Sequence, residues 1–234
     1  GLRDTGYSFE TASADIIDNS IAAGATKVFV EIILENTGKR FVIFGDNGEG
    51  MTESDLINAL RYGAPVRSDK KSLGKFGLGL KTASSSICKR FDVISRKSGN
   101  ESLSKLGWDI DVVSKENSWV NIKDPISEED EKNFIDYCGD NGTLVVWSNC
   151  DQLLGKIYDE PGGVKEQNAI KKISERLSDH IALTYHKFLS KEDVSQPNIE
   201  IFLNGKAVEG FNPFYEKKSE QMLSERQSKI SIST

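Results

Sequence analysis

The chain has 234 residues, 37 % of them apolar and 28 % charged, and a formal net charge of −6. That balance suits a globular protein with one large domain, or one domain and part of a second, and argues against a chain-wide basic surface for nucleic acid. No apolar run approaches the roughly 20 residues that span a membrane, and three cysteines without C-x-x-C spacing suggest neither a disulfide framework nor a zinc site, so a cytoplasmic location with no membrane partner is expected.

Phe9, Ala12, Ser13, Ile16, Ile17, Ser20 and Ile21 recur at helical spacing and predict an amphipathic helix. Asp15 and Asn19 stack one turn apart on another face, with Asp18 beside them. Alone, D-x-x-D-N is more often a solvated polar face. The alternative is a carboxylate and a carboxamide aimed together at a metal and a water. Gly24 ends the helix. Lys27 to Leu34 reads as a strand, Asn36-Thr37-Gly38-Lys39 as a turn, and Arg40 to Phe44 as the returning strand of a hairpin. The hairpin runs into Gly45-Asp46-Asn47-Gly48-Glu49-Gly50-Met51, which by itself reads as a tight turn with Asp46 bonding its own backbone.

Thr52-Glu53-Ser54-Asp55 is close to a capping box and opens a short helix ending near Gly63. A polar, basic loop follows from Ala64 to Leu73. Next comes Gly74-Lys75-Phe76-Gly77-Leu78-Gly79-Leu80-Lys81-Thr82, leading into a helix to about Cys88. Glycines at this density let backbone approach a ligand, and the N-terminus of the following helix favours an anion. The spacing is not that of a Walker A loop, because Leu80 separates Gly79 from Lys81, nor that of a Rossmann turn. A phosphate cradle and a plain glycine-rich loop both remain open from this stretch alone.

Phe91 to Arg96 reads as a strand. Ser104 to Val113 and Ser118 to Ile122 read as two more, around a turn at 115–117. Ser127 caps a helix over Glu128 to Tyr137, and Gly142-Thr143 opens a strand to Trp147. A turn-rich link at Asp159 to Gly163 precedes a long helix, Val164 to Leu189, whose His180 and His186 read as structural. Ile199 to Leu203, Asn204-Gly205 and Ala207-Val208 make a hairpin.

Taken in order, Asp15-Ile16-Ile17-Asp18-Asn19-Ser20 on a helix, Asp46-Asn47-Gly48-Glu49-Gly50-Met51 after a strand, Gly74 to Lys81 before a helix, and Gly142-Thr143 on a late strand resemble the GHKL ATPases. That superfamily holds gyrase B, the ninety-kilodalton heat-shock chaperones, histidine kinases and MutL. The resemblance runs from about Phe9 to Trp147, and Gly77 to Lys81 with Ile199 to Phe214 looks nearest to the MORC-like branch. It implies an α+β fold of the Bergerat type, a two-layer α/β sandwich with helices on one face of a mixed, mostly antiparallel sheet. An ATP-binding domain would cover residues 1–155. Residues 156–234 would hold a helix, a hairpin and the incomplete start of a transducer-like region.

The resemblance further implies ATP or ADP with Mg²⁺ as ligands. Asn19 would hold the metal. Asp46 would accept a hydrogen bond from the adenine amino group, with Gly48, Gly50 and Met51 beside the base and Thr143 supporting its edge. Gly74, Lys75, Phe76, Gly77, Leu78, Gly79, Leu80 and Lys81 would cradle the phosphates, and residues from about Met51 to Lys75 would form a lid. Asp15 stands where hydrolytic members carry Glu, one methylene shorter, or roughly 1.5 Å less reach. Asp15 as catalytic base therefore implies slow hydrolysis, with Asp18 as a nearby second acid. The implied function is Mg-dependent ATP binding and slow hydrolysis, with lid closure and homodimerisation acting on a downstream domain. A nucleotide-sensing module with little turnover and histidine-kinase-type phosphotransfer are the alternatives. Whether DNA or a client protein is acted on stays open.

Overall fold

A computed structural model of the chain describes residue 3 and residues 6–61, 79–100, 102–118, 120–190 and 196–213. Helix α1 (Phe9–Ala22) starts where the Ser8 hydroxyl accepts the Thr11 N–H at 3.2 Å, and it closes ahead of Gly24 at φ +72°. Strands β1 (Lys27–Leu34) and β2 (Arg40–Asp46) form the expected antiparallel hairpin, and β2 runs two residues beyond Phe44 to deliver Asp46 at its end. The predicted capping box forms at Thr52 and Asp55 and opens α2 (Glu53–Leu60). Farther along the chain, α3 (Gly79–Ile87) leads into β3 (Arg90–Arg96).

One region departs from the sequence reading. Strand β4 (Ser104–Asp109) stops at Asp109, whose carboxylate accepts the Asp111 N–H at 2.8 Å and caps a helix, α4 (Ile110–Glu116). Ile110, Val112 and Val113 suggest a strand by their branching, but Ile110 and Val113 pack on the core from this helix instead. Asn117 ends it at φ +47°. The second expected strand, to Ile122, contributes a single bridge to Gly107. Helix α5 (Glu128–Cys138) carries a second capping box, Ser127 with Asp130, and β5 (Gly142–Ser148) comes next. Helix α6 (Val164–Thr184) breaks at Tyr185, with α7 (His186–Leu189) beyond, so the single helix expected to Leu189 is two. Strands β6 (Glu200–Leu203) and β7 (Lys206–Ala207) close the hairpin.

Among the described residues seven strands run in the order β4-β3-β5-β2-β1-β6-β7, all antiparallel except the β1–β6 pair. The α+β class and the mixed, mostly antiparallel sheet are as the sequence implied. The strands alternate faces. Val42 and Phe44 of β2 and Val145 and Trp147 of β5 join the main core with α1, α2, α3 and α6, and Phe44 meets Trp147 edge-on at 4.7 Å. The Trp147 indole donates to Ser84 Oγ of α3 at 2.8 Å, which ties helix layer to sheet. Ile43, Ile94 and Leu144 point the other way and bury Phe134 and Cys138, so α5 covers the opposite face, outside the expected single helix layer.

The division placed near residue 155 falls in the loop between β5 and α6. Helix α6 and strand β6, beyond that loop, belong to the same core and the same sheet. Ile170, Ile173, Leu177 and Ile181 of α6 and Ile201 and Leu203 of β6 pack in the main core with Phe9 and Ile16. Glu166, buried on α6, accepts Arg40 Nε of β2 at 2.6 Å and the Gly162 N–H at 2.7 Å.

Candidate functional site

The site is built on α1, the ends of β2, β3 and β5, and the start of α3. Asp46 is 5 % exposed at the centre of the sheet. Its Oδ1 accepts the Gly48 N–H at 2.9 Å and its Oδ2 the Ser20 hydroxyl at 2.8 Å, and the Thr143 N–H is a third donor. Burial pushes its carboxyl up from the usual aspartate range, while these donors pull it back. The turn after it matches the sequence reading of a carboxylate bonding its own backbone, but Ser20, 26 positions upstream, makes it part of a larger network.

The backbone beside Asp46 is packed to the point where side chains would not fit. Gly50 lies at φ +69° with space for a Cβ only 2.0 Å from the Arg96 carbonyl oxygen. Gly142 lies at φ +136°, and its Cβ would stand 1.8 Å from the Asp46 carbonyl oxygen. Ser95 knits the floor together: its hydroxyl donates to the Gly142 carbonyl at 2.8 Å and accepts the Met51 N–H at 2.9 Å, with Thr143 Oγ1 3.0 Å away. Asn141 Nδ2 donates to the Gly48 carbonyl at 2.6 Å. Asp46, Gly48, Gly50, Met51 and Thr143 thus share one wall.

Asp15 and Asn19 lie along α1, both half-buried, one turn apart. Asp15 Oδ2 accepts the Tyr7 hydroxyl at 2.8 Å. The start of α3 comes against it, and a Cβ on Gly79 would sit 3.4 Å from that same oxygen. The Asn19 carboxamide makes no hydrogen bond among the described residues, and no group of three His, Cys, Asp or Glu side chains among them could hold a metal. A metal here would therefore rest on one carboxamide oxygen, completed by phosphate oxygens and water. Mg²⁺ accepts such a set, so the residues fit it.

Asp18 points elsewhere. Its Oδ1 accepts the Tyr185 hydroxyl at 2.8 Å, and the same hydroxyl lies 3.0 Å from the Ala14 carbonyl. Burial raises the Asp18 carboxyl, against the Tyr185 bond and with the help of the Asp15 charge. Burial likewise raises the Tyr185 phenol far above its ordinary value, with Asp18 adding to it.

Lys81 is buried on α3, and its ammonium donates to the Arg61 carbonyl at the end of α2. Burial lowers its pKa. Leu80 is half-buried against the core. Gly74, Lys75, Phe76, Gly77 and Leu78, and residues 62–75 of the lid expected from about Met51 to Lys75, lie outside the described residues.

Four contributors escaped the sequence reading. Ser20 had a signal, a hydroxyl inside an apolar helical stripe. Ser95 and Tyr185 had none, because their partners are remote in the chain, and Tyr7, eight positions from Asp15, lies ahead of the helix whose spacing marks that residue.

A family model described as the histidine kinase-, DNA gyrase B- and HSP90-like ATPase matches residues 7–140. The chain is similar to the ATPase MORC2B of Mus musculus, 34 % identical over 90 residues, which cover 37 % of this chain and 9 % of that protein. It is similar to the DNA mismatch repair protein MutL of Borreliella afzelii, 36 % identical over 93 residues, 38 % of this chain and 15 % of that one. MutL of Endomicrobium trichonymphae is 25 % identical over 215 residues, 81 % of this chain and 35 % of that one. The matches thus cover between 9 % and 35 % of the length of these relatives. No helix among the described residues is long and apolar enough to cross a membrane.

Proposed function

The chain belongs to the histidine kinase-, DNA gyrase B- and HSP90-like ATPases, and from that premise we propose that it binds ATP with Mg²⁺ and hydrolyses it slowly, with Asp15 as general base. The observation that carries this reading is the meeting of α1 with the start of α3, where a Cβ placed on Gly79 would stand 3.4 Å from Asp15 Oδ2. A phosphate received at the α3 N-terminus would lie beside that carboxylate.

In the proposed reaction a water oxygen bonds to the γ-phosphorus and the bond from phosphorus to the β,γ-bridging oxygen breaks. The water's proton passes to Asp15 and then to solvent, and ADP and inorganic phosphate leave. Mg²⁺, held by Asn19, supplies positive charge to the phosphate oxygens when bound. Asp46 orients the base by accepting from its amino group, from a carboxylate already aligned by Ser20 and Gly48. Closure of residues 51–75 over the nucleotide, homodimerisation of the longer protein, and action on DNA or a client through a further domain complete the proposal.

A second reading, ATP sensing with little turnover, is favoured by the short reach of Asp15, since misplacement of about 1 Å can cost about a hundredfold in rate. One pair of variants decides. Asp15→Asn lowers hydrolysis by about 10²–10⁴ and leaves ATP affinity within a few-fold, whereas Asp15→Glu raises turnover. Calorimetry and a steady-state phosphate-release assay read both quantities. Two rates near that of the parent chain would remove Asp15 from the reaction.

A further inference from the structure

The residues ahead of α1 are fastened at two points. Arg3 donates Nε to the Ser85 carbonyl of α3 at 3.0 Å and Nη1 to Asp151 Oδ2 at 3.0 Å, with Nη2 on the other oxygen of that carboxylate. Four positions on, the half-buried Tyr7 ring packs against the main core and its hydroxyl reaches Asp15 Oδ2. The ring is thus held by the core and its hydroxyl by Asp15.

Asp15 depends on that contact. It has no other hydrogen-bond donor among the described residues, and it is only half-buried. An aspartate held by nothing turns about two side-chain torsions, and a base that turns presents either oxygen, at varying distances, to a water. A single phenolic donor on Oδ2 removes that freedom.

We propose that Tyr7 is a positioning residue for Asp15, fixing the orientation of the carboxylate that takes the proton from the attacking water. This rests on the hydrolysis reading above. Tyr7 keeps its own proton throughout. Its burial, the bond to Asp15 and the Asp15 charge all raise the phenol above its ordinary value. The Tyr185–Asp18 pair is a second tyrosine–aspartate bond on the same helix, but it faces α6 and α7 and does not compete for Asp15.

The test uses the whole chain. Tyr7→Phe keeps the ring and removes only the donor. It is expected to lower kcat about tenfold, the effect of one ordinary hydrogen bond at the transition state, while the Kd for MgATP stays within twofold. In the Asp15→Asn background the same change leaves the residual rate within twofold. A readout independent of turnover is the Tyr7 ring titration in the nucleotide-free protein, followed by NMR: Asp15→Asn moves its midpoint down toward the ordinary tyrosine value. An unchanged rate, an equal fall in both backgrounds, a Kd that weakens in step with the rate, or a phenol midpoint unmoved by Asp15→Asn each overturn the proposal. If the parent chain binds MgATP but does not hydrolyse it, the hydrolysis reading falls and takes this one with it. If it does hydrolyse, the Tyr7 results alone decide.

Discussion

Two aspartates of the candidate site are held in opposite ways. Asp46 is 5 % exposed and has three protein donors, and the glycines around it leave no room for a Cβ. Asp15 is half-buried with one donor among the described residues, and the glycine facing it has ordinary clearance. A carboxylate saturated by rigid neighbours can select a ligand by shape and donor pattern but has little freedom for chemistry. A carboxylate with one oxygen unclaimed is poorly specified by the protein alone, and it can still accept a proton. The fold packs tightly at the Asp46 end and leaves the Asp15 end less constrained.

The difference breaks most visibly at the glycines. Gly142→Ala is expected to cost about 3–5 kcal/mol of unfolding free energy, because it adds backbone strain to a clash with the Asp46 carbonyl. Gly79→Ala, with its new Cβ at 3.4 Å from Asp15 Oδ2, should change stability by less than about 1 kcal/mol. Urea unfolding of both variants measures the contrast, and equal losses would mean that the two ends are equally rigid.

Next in size is Asp46→Asn. Its amide presents donors where adenine also donates, and ATP affinity should fall by about 2–3 kcal/mol. Stability should not fall with it. The Asp46 carboxyl is raised by burial, so its contribution is fully present below the usual carboxylate range and is lost as pH rises through the raised value. At pH 7 the neutral amide escapes that loss. Calorimetry alongside thermal unfolding separates the two effects. A variant with weakened stability and unchanged affinity would make Asp46 a scaffold residue.

Tyr185→Phe is the smallest change and sharpens the comparison for the third acid. Removing the donor from Asp18 should cost about 1–2 kcal/mol near pH 7. The Asp18 carboxyl is raised in the fold, and losing the bond that lowers it raises it further, so the cost should shrink as pH falls below that value and Asp18 protonates. Unfolding followed from pH 7 down through the carboxylate range measures the gap. A cost independent of pH would show that the bond to the Ala14 carbonyl carries the effect.

Much of this was legible in the sequence where the cause is local. Capping boxes at Thr52 and Ser127, the helical stripe of α1, the β1–β2 hairpin and the Asn204-Gly205 turn all depend on groups within a few residues of one another. So does the turn that folds the Gly48 N–H onto Asp46. The order of motifs also carried the family. The local rule failed at Ile110 to Val113, where a capping Asp109 and a core contact outweighed β-branching.

Tertiary structure alone decided the rest, because the deciding partners are far apart in the chain. The parallel β1–β6 pairing joins Val28 to Ile201, and the sheet face that receives α5 depends on Ile43, Ile94 and Leu144 arriving together. Ser20 becomes a donor to Asp46 only when α1 crosses the end of β2, and Tyr185 reaches Ala14 across 171 positions. A hydroxyl in a sequence carries no mark of its future acceptor. That pairing is set by which surfaces the buried apolar side chains bring into contact.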